Sequence, residues 1–274
     1  MFVRGILLFL AAAMPLALQA QTPSKQDECL LTQLGVCARH VVEDEVGIVT
    51  SPLHVRAKDL LWIAPFGVAT GVSLHYDADA LNDLGHDPSR QDTFNTISNV
   101  GAVYVPIAAI VGGYAAGAWR KDDYLQQTAV ISAEAILDAQ IINLPLKYGI
   151  NRQTPEQGDG TGRFWPHGPS TWPDGQSMPS GHSLTAWSMA HVVAVRYPSW
   201  RVRLVAYGLA TTVSVSRVLA RQHFPSDVVV GSTLGYLIGG YVVRKRGEPS
   251  KSFTFSMVDT PNGRGMQLSY NFGH

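Results

Sequence analysis

Six stretches of this chain carry apolar residues at helical spacing, and its end switches to alternation. Leu60 to Leu74 is the first apolar run of helical character. Ser98 to Ala118 passes 21 residues without a charge and holds Gly113 and Gly117 as a small-xxx-small pair, which makes it the strongest membrane-span candidate. Thr128 to Leu146 follows. Its Glu134 and Asp138 stand four residues apart on one face, and two carboxylates at bilayer depth are expensive. That helix is therefore central in a bundle, or the bundle is outside lipid. His182 to Arg196, Val202 to about Ala220, and Pro225 to about Val243 complete the set. In the last, Pro225 suits the first helical position, and Gly231, Gly235 and Gly239 form a stripe that permits close helix contact. In the tail, Phe253, Phe255 and Met257 alternate with Ser252, Thr254 and Ser256. Met266, Leu268, Tyr270 and Phe272 alternate after Pro261-Asn262-Gly263, a hairpin pattern with an Asn-Gly turn. The expected fold is all-α: a bundle of about six helices with a short C-terminal β-hairpin.

The intervening segments divide the chain. Residues 1–20 read as a secretory signal, with Arg4 ahead of the apolar Gly5 to Met14 and Leu18-Gln19-Ala20 as a cleavage site; an uncleaved anchor is the alternative. Residues 21–60 form a mixed, polar extension, with Gly47 to Thr50 as a short strand and Ser51-Pro52 as a turn. Residues 61–248 hold the helical bundle and 249–274 the hairpin tail. Inside the bundle, His75 to Asp83, with His86 and Asp87, reads as a solvated acidic loop. As an EF-hand it fails, having Asn82 where glycine and Pro88 where glutamate are needed. Residues 151–178 are a long Gly- and Pro-rich loop, of a length that is usually functional. Phe164, Trp165 and Trp172 are candidates for the mouth of a site, and His167 for the surface. Cys29 and Cys37 are the only cysteines. On one continuous helix they would lie about 12 Å apart, too far to bridge. A break at Gly35 would allow a disulfide, and both readings stay open.

Composition narrows the function. The chain has 46% hydrophobic residues, enough for one sizeable core, and only 15% charged residues. Its 21 basic and 21 acidic residues cancel, so the basic footprint of a nucleic-acid partner is missing.

Three segments carry chemistry. In Met178-Pro179-Ser180-Gly181-His182-Ser183-Leu184, Ser180 is a natural N-cap and Gly181 allows close approach of the backbone. His182 then sits on the first turn of a helix, beside unclaimed N–H groups and the positive end of the dipole. Upstream lies Lys147 to Pro155, and downstream Ser216-Arg217 through His223 to Asp227. Together these resemble the phosphatidic acid phosphatase type 2 (PAP2) and vanadium haloperoxidase superfamily, which carries Lys…Arg-Pro, Pro-Ser-Gly-His and Ser-Arg…His…Asp in that order. The second and third motifs match residue for residue. The first departs: Thr154 stands where the family has arginine, and the nearest arginine is Arg152.

The resemblance implies a PAP2-like bundle and a metal-independent phosphatase, with His223 as nucleophile forming a phosphohistidine and His182 as general acid. Asp227 is spaced to accept the other imidazole N–H of His223. Lys147, Arg152 and Arg217, with the Ser180 hydroxyl and the Gly181 N–H, are the expected phosphate holders. No cofactor is implied, although vanadate can stand in for phosphate. The implied partner is a phosphorylated lipid or small molecule, and the oligomeric state is open. A vanadate-dependent haloperoxidase and a non-catalytic phosphate-binding envelope protein are the alternatives. An exported, periplasmic protein associated with the membrane surface is the expected location. The alternative is an integral inner-membrane protein with its site facing the periplasm; basic residues at Arg120-Lys121, Arg196 to Arg203 and Arg244 to Arg246 fit the positive-inside pattern for it.

Overall fold

The computed structural model describes residue 29, residues 34–168 and 175–246, and the backbone of 253–260 and 263–270. The proposed signal, residues 1–20, and Trp172 lie outside the described residues.

Among the described residues there are seven helices. These are α1 (Leu34–Thr50), α2 (Leu60–Leu84), α3 (Pro88–Arg120), α4 (Asp123–Ile150), α5 (Gly181–Arg196), α6 (Trp200–Leu219) and α7 (Pro225–Arg246). The one beyond the expected six is α1. Residues 47–50, read as a strand, are its last turn, because its inward face is polar and hides the helical period. His40 and Asp44 are buried there one turn apart, and Ile48 packs on the core another turn on. Cys29 lies ahead of α1 and is bridged to Cys37 within it, so Gly35 stays helical and no break is needed.

The acidic stretch is a second correction. α2 continues through His75 to Leu84, and Asp77 and Leu81 are buried on it. In α3, a π-helical turn spans Val100–Tyr104, just before Pro106. Asp87 caps this helix at the Arg90 N–H, as Asp122 caps α4 at Leu125 and Ser199 caps α6 at Val202.

α4 is central, with nine buried residues along it. Its Glu134 meets His40 of α1 at 3.0 Å. One core cluster joins Ile131, Ala135 and Ala139 of α4 to Leu184 and Val192 of α5 and to Ile238 and Val242 of α7. α5 and α7 pack closest, and the glycine stripe is the cause. A Cβ at Gly231 would stand 2.5 Å from the Ser180 carbonyl oxygen, at Gly235 2.3 Å from that of Leu184, and at Gly239 2.3 Å from that of Ser188. Each α7 glycine thus meets one α5 carbonyl, a turn apart each time. Gly235→Leu should force the two helices apart at their midpoint and lower stability by about 1–3 kcal/mol, read as a drop in unfolding temperature of the purified protein. An unchanged midpoint would show that α5 and α7 do not depend on this contact.

Outside, the bundle is apolar. Leu61, Val68, Val111, Trp119, Leu204 and Val205 are all more than half exposed. Among the described residues, four helices, α3, α4, α6 and α7, are long and apolar enough to cross a membrane. The C-terminal residues form a separate unit, in which 253–260 and 263–270 pair antiparallel with Phe253 opposite Tyr270, Phe255 opposite Leu268 and Met257 opposite Met266.

Candidate active site

The antiparallel order of α4 to α7 brings four helix ends to one end of the bundle. They are the C-termini of α4 and α6 and the N-termini of α5 and α7. They carry Lys147, Arg217, His182 and Asp227, and the turn between α6 and α7 adds His223. The basic residues Arg120, Arg196, Arg201 and Arg246 fall at the other end.

His223 is 5% exposed, and its Nδ1 stands 3.7 Å from Asp227 Oδ2. That is ion-pair range and beyond a direct hydrogen bond. Asp227 is otherwise engaged: Oδ2 accepts from the Ser177 hydroxyl and from the Phe224 N–H at 2.9 Å, and Oδ1 from Arg152 Nη1 at 2.6 Å. Burial lowers the pKa of His223. The neighbouring Asp227 pulls it up, and Arg217 and Lys147 push it down. Burial, the largest of these effects, thus favours the neutral imidazole.

His182 Nε2 meets the Asn99 side-chain oxygen at 2.8 Å, so this nitrogen carries the proton. Burial, then the charges of Arg217, His223 and Lys147, push the His182 pKa down to about 3. The cations and both histidines thus share one electrostatic neighbourhood. Arg217 Nη1 donates to the Asn95 side-chain oxygen at 3.0 Å and to Ser98 Oγ at 3.1 Å. The Lys147 ammonium donates to the Gln176 carbonyl at 2.6 Å.

Ser180 occupies the N-cap position of α5, yet its hydroxyl caps no N–H of the helix. It accepts instead from the Ser183 hydroxyl at 3.2 Å, while its own N–H donates to the Asp227 carbonyl at 3.0 Å. The Gly181 carbonyl accepts from Gln140 of α4 at 3.1 Å, and a Cβ on Gly181 would press on Asn143 at 3.0 Å. Glycine here lets α5 begin tight against α4, with its first N–H groups at the site.

Arg152 is placed differently from expectation. It is 1% exposed and lies behind Asp227. Nη1 donates to Asp227 and to Ser226 Oγ at 2.6 Å, Nη2 to Asp77 Oδ2 at 2.7 Å, and Nε to the Gly162 carbonyl at 3.1 Å. Phe224 covers one face of the guanidinium, with its ring centroid 4.2 Å away. Every nitrogen of this side chain is committed to protein, so the structure assigns Arg152 to Asp227 and not to phosphate. Its backbone is clamped as well, bridged to Phe164 and accepting from the Ser177 N–H at 2.9 Å. The Thr154 backbone N–H donates to the Gln157 side chain.

Asp77 is the residue that sequence reading missed. It accepts from Arg152, from the Ser226 N–H at 3.0 Å and from the Ser226 hydroxyl, tying α2 to the start of α7. Arg221 is buried; it donates to the Leu81 carbonyl and to Glu156, fixing the end of α2. Phe164 and Trp165 are 47% and 40% exposed on the loop, and His167 is exposed.

The chain is similar in part to known proteins. The family model of the PAP2 superfamily matches residues 128–249, which contain every side chain of the site except those from α2 and α3. The chain is 36% identical over 73 residues to a lipid A 1-phosphatase of Porphyromonas gingivalis, covering 24% of this chain and 16% of that protein. It is 32% identical over 85 residues to a lipid A 4'-phosphatase of Helicobacter pylori, covering 31% of this chain and 42% of that protein. The matches thus span less than half of either relative. The crystal structure of Aquifex aeolicus LpxE superposes with a TM-score of 0.45 at 21% identity, covering 60% of this chain and 90% of that one. Through residues 128–249, this chain resembles the PAP2 superfamily.

Proposed function

We propose that this protein is a metal-independent phosphatase of lipid phosphates that works through a phosphohistidine. The observation that carries the proposal is the gathering of His223, Asp227, His182, Lys147 and Arg217 at four converging helix ends. His223 attacks phosphorus through Nε2, leaving Nδ1 toward Asp227. The P–O bond to the leaving group breaks, and His182 gives the departing alkoxide its proton. Water then cleaves the N–P bond, returning a proton to His182 and releasing inorganic phosphate. Lys147, Arg217, the Ser180 hydroxyl and the Gly181 N–H hold the phosphoryl oxygens. Without substrate His182 is neutral, because burial first, and then the cations around it, resist a further proton. A bound phosphate dianion offsets those cations, so His182 gains its proton with the substrate.

Lipid phosphate is favoured over soluble esters by the apolar exterior, the four helices able to span a bilayer, and the curated relatives named lipid A phosphatases. On this reading the chain is integral to the membrane. The basic end faces the cytoplasm and the site the opposite side.

The test is phosphate release by the purified protein across phosphatidic acid, lipid A, nucleotides and sugar phosphates, with and without EDTA. Release from lipid phosphates, unchanged by EDTA, is expected. Loss with EDTA that a metal restores would refute metal independence. Halide oxidation by the vanadate-loaded protein, with no phosphate release, would assign it to the haloperoxidases. Binding without turnover would make it a receptor.

A further inference from the structure

One turn of α3 carries three neutral polar side chains to the candidate site. Asn95, Ser98 and Asn99 stand at positions i, i+3 and i+4, which share one face of a helix. They head the charge-free run that ends at Ala118, where a polar face needs partners. Up to Asn99, α3 packs along α6; its π-helical turn, Val100–Tyr104, begins at the next residue and touches both α5 and α6. Such turns recur at functional sites. All three residues precede residue 128, where the family match begins.

The partners of this face are residues of the site. Asn99 Oδ1 accepts from His182 Nε2 at 2.8 Å. With that proton held by a neutral acceptor, Nδ1 is the ring nitrogen left for the leaving group. Asn95 Oδ1 and Ser98 Oγ accept from Arg217 Nη1 at 3.0 Å and 3.1 Å. Ser98 is buried, and its own hydroxyl proton goes to the Asn95 carbonyl at 3.0 Å, so toward Arg217 it acts only as an acceptor. Arg217 Nε is buried with no partner among the described residues. Anchored through Nη1, the guanidinium keeps its Nε edge for phosphoryl oxygens.

We propose that this turn of α3 is a positioning element of the reaction: Asn99 fixes His182 in the tautomer that donates from Nδ1, and Asn95 with Ser98 fixes Arg217 against the phosphate. The inference rests on the proposed phosphatase reading and adds what sets its acid and its cation. With substrate bound, His182 carries a proton on each nitrogen. As the P–O bond breaks, the Nδ1 proton passes to the alkoxide oxygen and its electron pair stays on Nδ1. The Nε2 proton stays in place, bonded to Asn99. A neutral asparagine suits this step. An aspartate there would hold the imidazolium and weaken the acid. Asn99 orients the ring without adding a charge to those that surround it, Arg217 of α6, His223 of the α6–α7 turn and Lys147 of α4.

Purified full-length variants test the two halves separately. Asn99→Leu should lower kcat on phosphatidic acid by about tenfold or more, lower it on phenyl phosphate by less than about threefold, and leave KM within about twofold. Asn95→Leu should instead raise KM and weaken vanadate inhibition by about fivefold, alike on both substrates. Asn99→Asp puts a carboxylate beside the imidazole. The acid then stays protonated to higher pH, and the alkaline limb of the kcat profile should move up by about one pH unit. The same loss on both substrates from both leucine variants, or an unmoved limb in Asn99→Asp, would reduce the turn to packing and overturn the inference. Nitrogen-15 spectra of histidine-labelled protein read the tautomer without turnover. The His182 signal, identified by its loss in His182→Ala, should show a proton on Nε2 alone in the wild type and lose that preference in Asn99→Leu. A proton on Nδ1 in the wild type, or no change in Asn99→Leu, would also overturn it. Wild-type protein inactive on every phosphate would count against the phosphatase reading, while the spectra would still decide whether Asn99 sets His182.

Discussion

His223→Ala should lose at least about 10³-fold in turnover on every substrate the wild type accepts, because it removes the proposed nucleophile, the imidazole that faces Asp227. The fold should survive. His223 makes no hydrogen bond through Nδ1, and the α6–α7 turn is held independently by the Phe224 N–H on Asp227 and by the Arg152–Ser226 contact. His182→Ala should separate from it. With its general acid gone, the enzyme should slow most on esters whose alkoxide is a poor leaving group and least on aryl phosphates, whose leaving group needs little protonation. Steady-state rates on phosphatidic acid and on phenyl phosphate, measured for both variants, check the pair. Comparable losses on both substrates for His182→Ala would remove it from the role of acid.

Arg152→Ala should act on stability first. It strips the counter-charge from two carboxylates that are each no more than 2% exposed, Asp77 and Asp227. Breaking a buried pair from one side costs roughly 3–5 kcal/mol, and here two acids are left facing each other across the gap. A large drop in unfolding temperature is expected, with loss of activity following the loss of fold. Adding Thr154→Arg should not rescue it, since a new arginine there would have to displace the packing that places Arg152 between the two acids. Asp77→Asn should cost less, because the amide still accepts from Ser226 or Arg152 and only one charge is removed. A stable Arg152→Ala protein with weakened phosphate binding, restored by Thr154→Arg, would return Arg152 to the phosphate and contradict the placement seen here.

The parts of the site that could be read from the chain are those with local signals. Ser180-Gly181-His182 opens a helix by composition alone, Pro225 opens another, and the spacing of His223 and Asp227 puts both at that second start. The glycines of α7 announced a close helix contact, and the carbonyls of Ser180, Leu184 and Ser188 are what they meet. What could not be read depends on partners distant in sequence. Asp77 lies 75 residues from Arg152, and among His75, Asp79 and Asp83 it looked like one more solvated acid. One signal was present: Asp77 and Leu81 are one turn apart and continue the period of the apolar run from Leu60. Arg152 was assigned to phosphate because it neighbours the position where the family has arginine. Only the packing of α2 against the start of α7 shows that it neutralises two acids instead. α1 escaped notice because its buried face is ionic, with Asp44 bound by Lys245 at 2.6 Å and by Arg246 at 2.9 Å. A hydrophobic period cannot report a face of that kind.

Whether His223 carries the phosphoryl group is measured most directly by trapping it. Enzyme mixed with ³²P-labelled phosphatidic acid and quenched in alkali within milliseconds should retain label on the protein. The label should survive base, be lost in mild acid as a phosphoramidate is, and map to the peptide containing His223. It should be absent from His223→Ala. Release of labelled phosphate at the full rate with no protein-bound label, or label on any other residue, would contradict the mechanism.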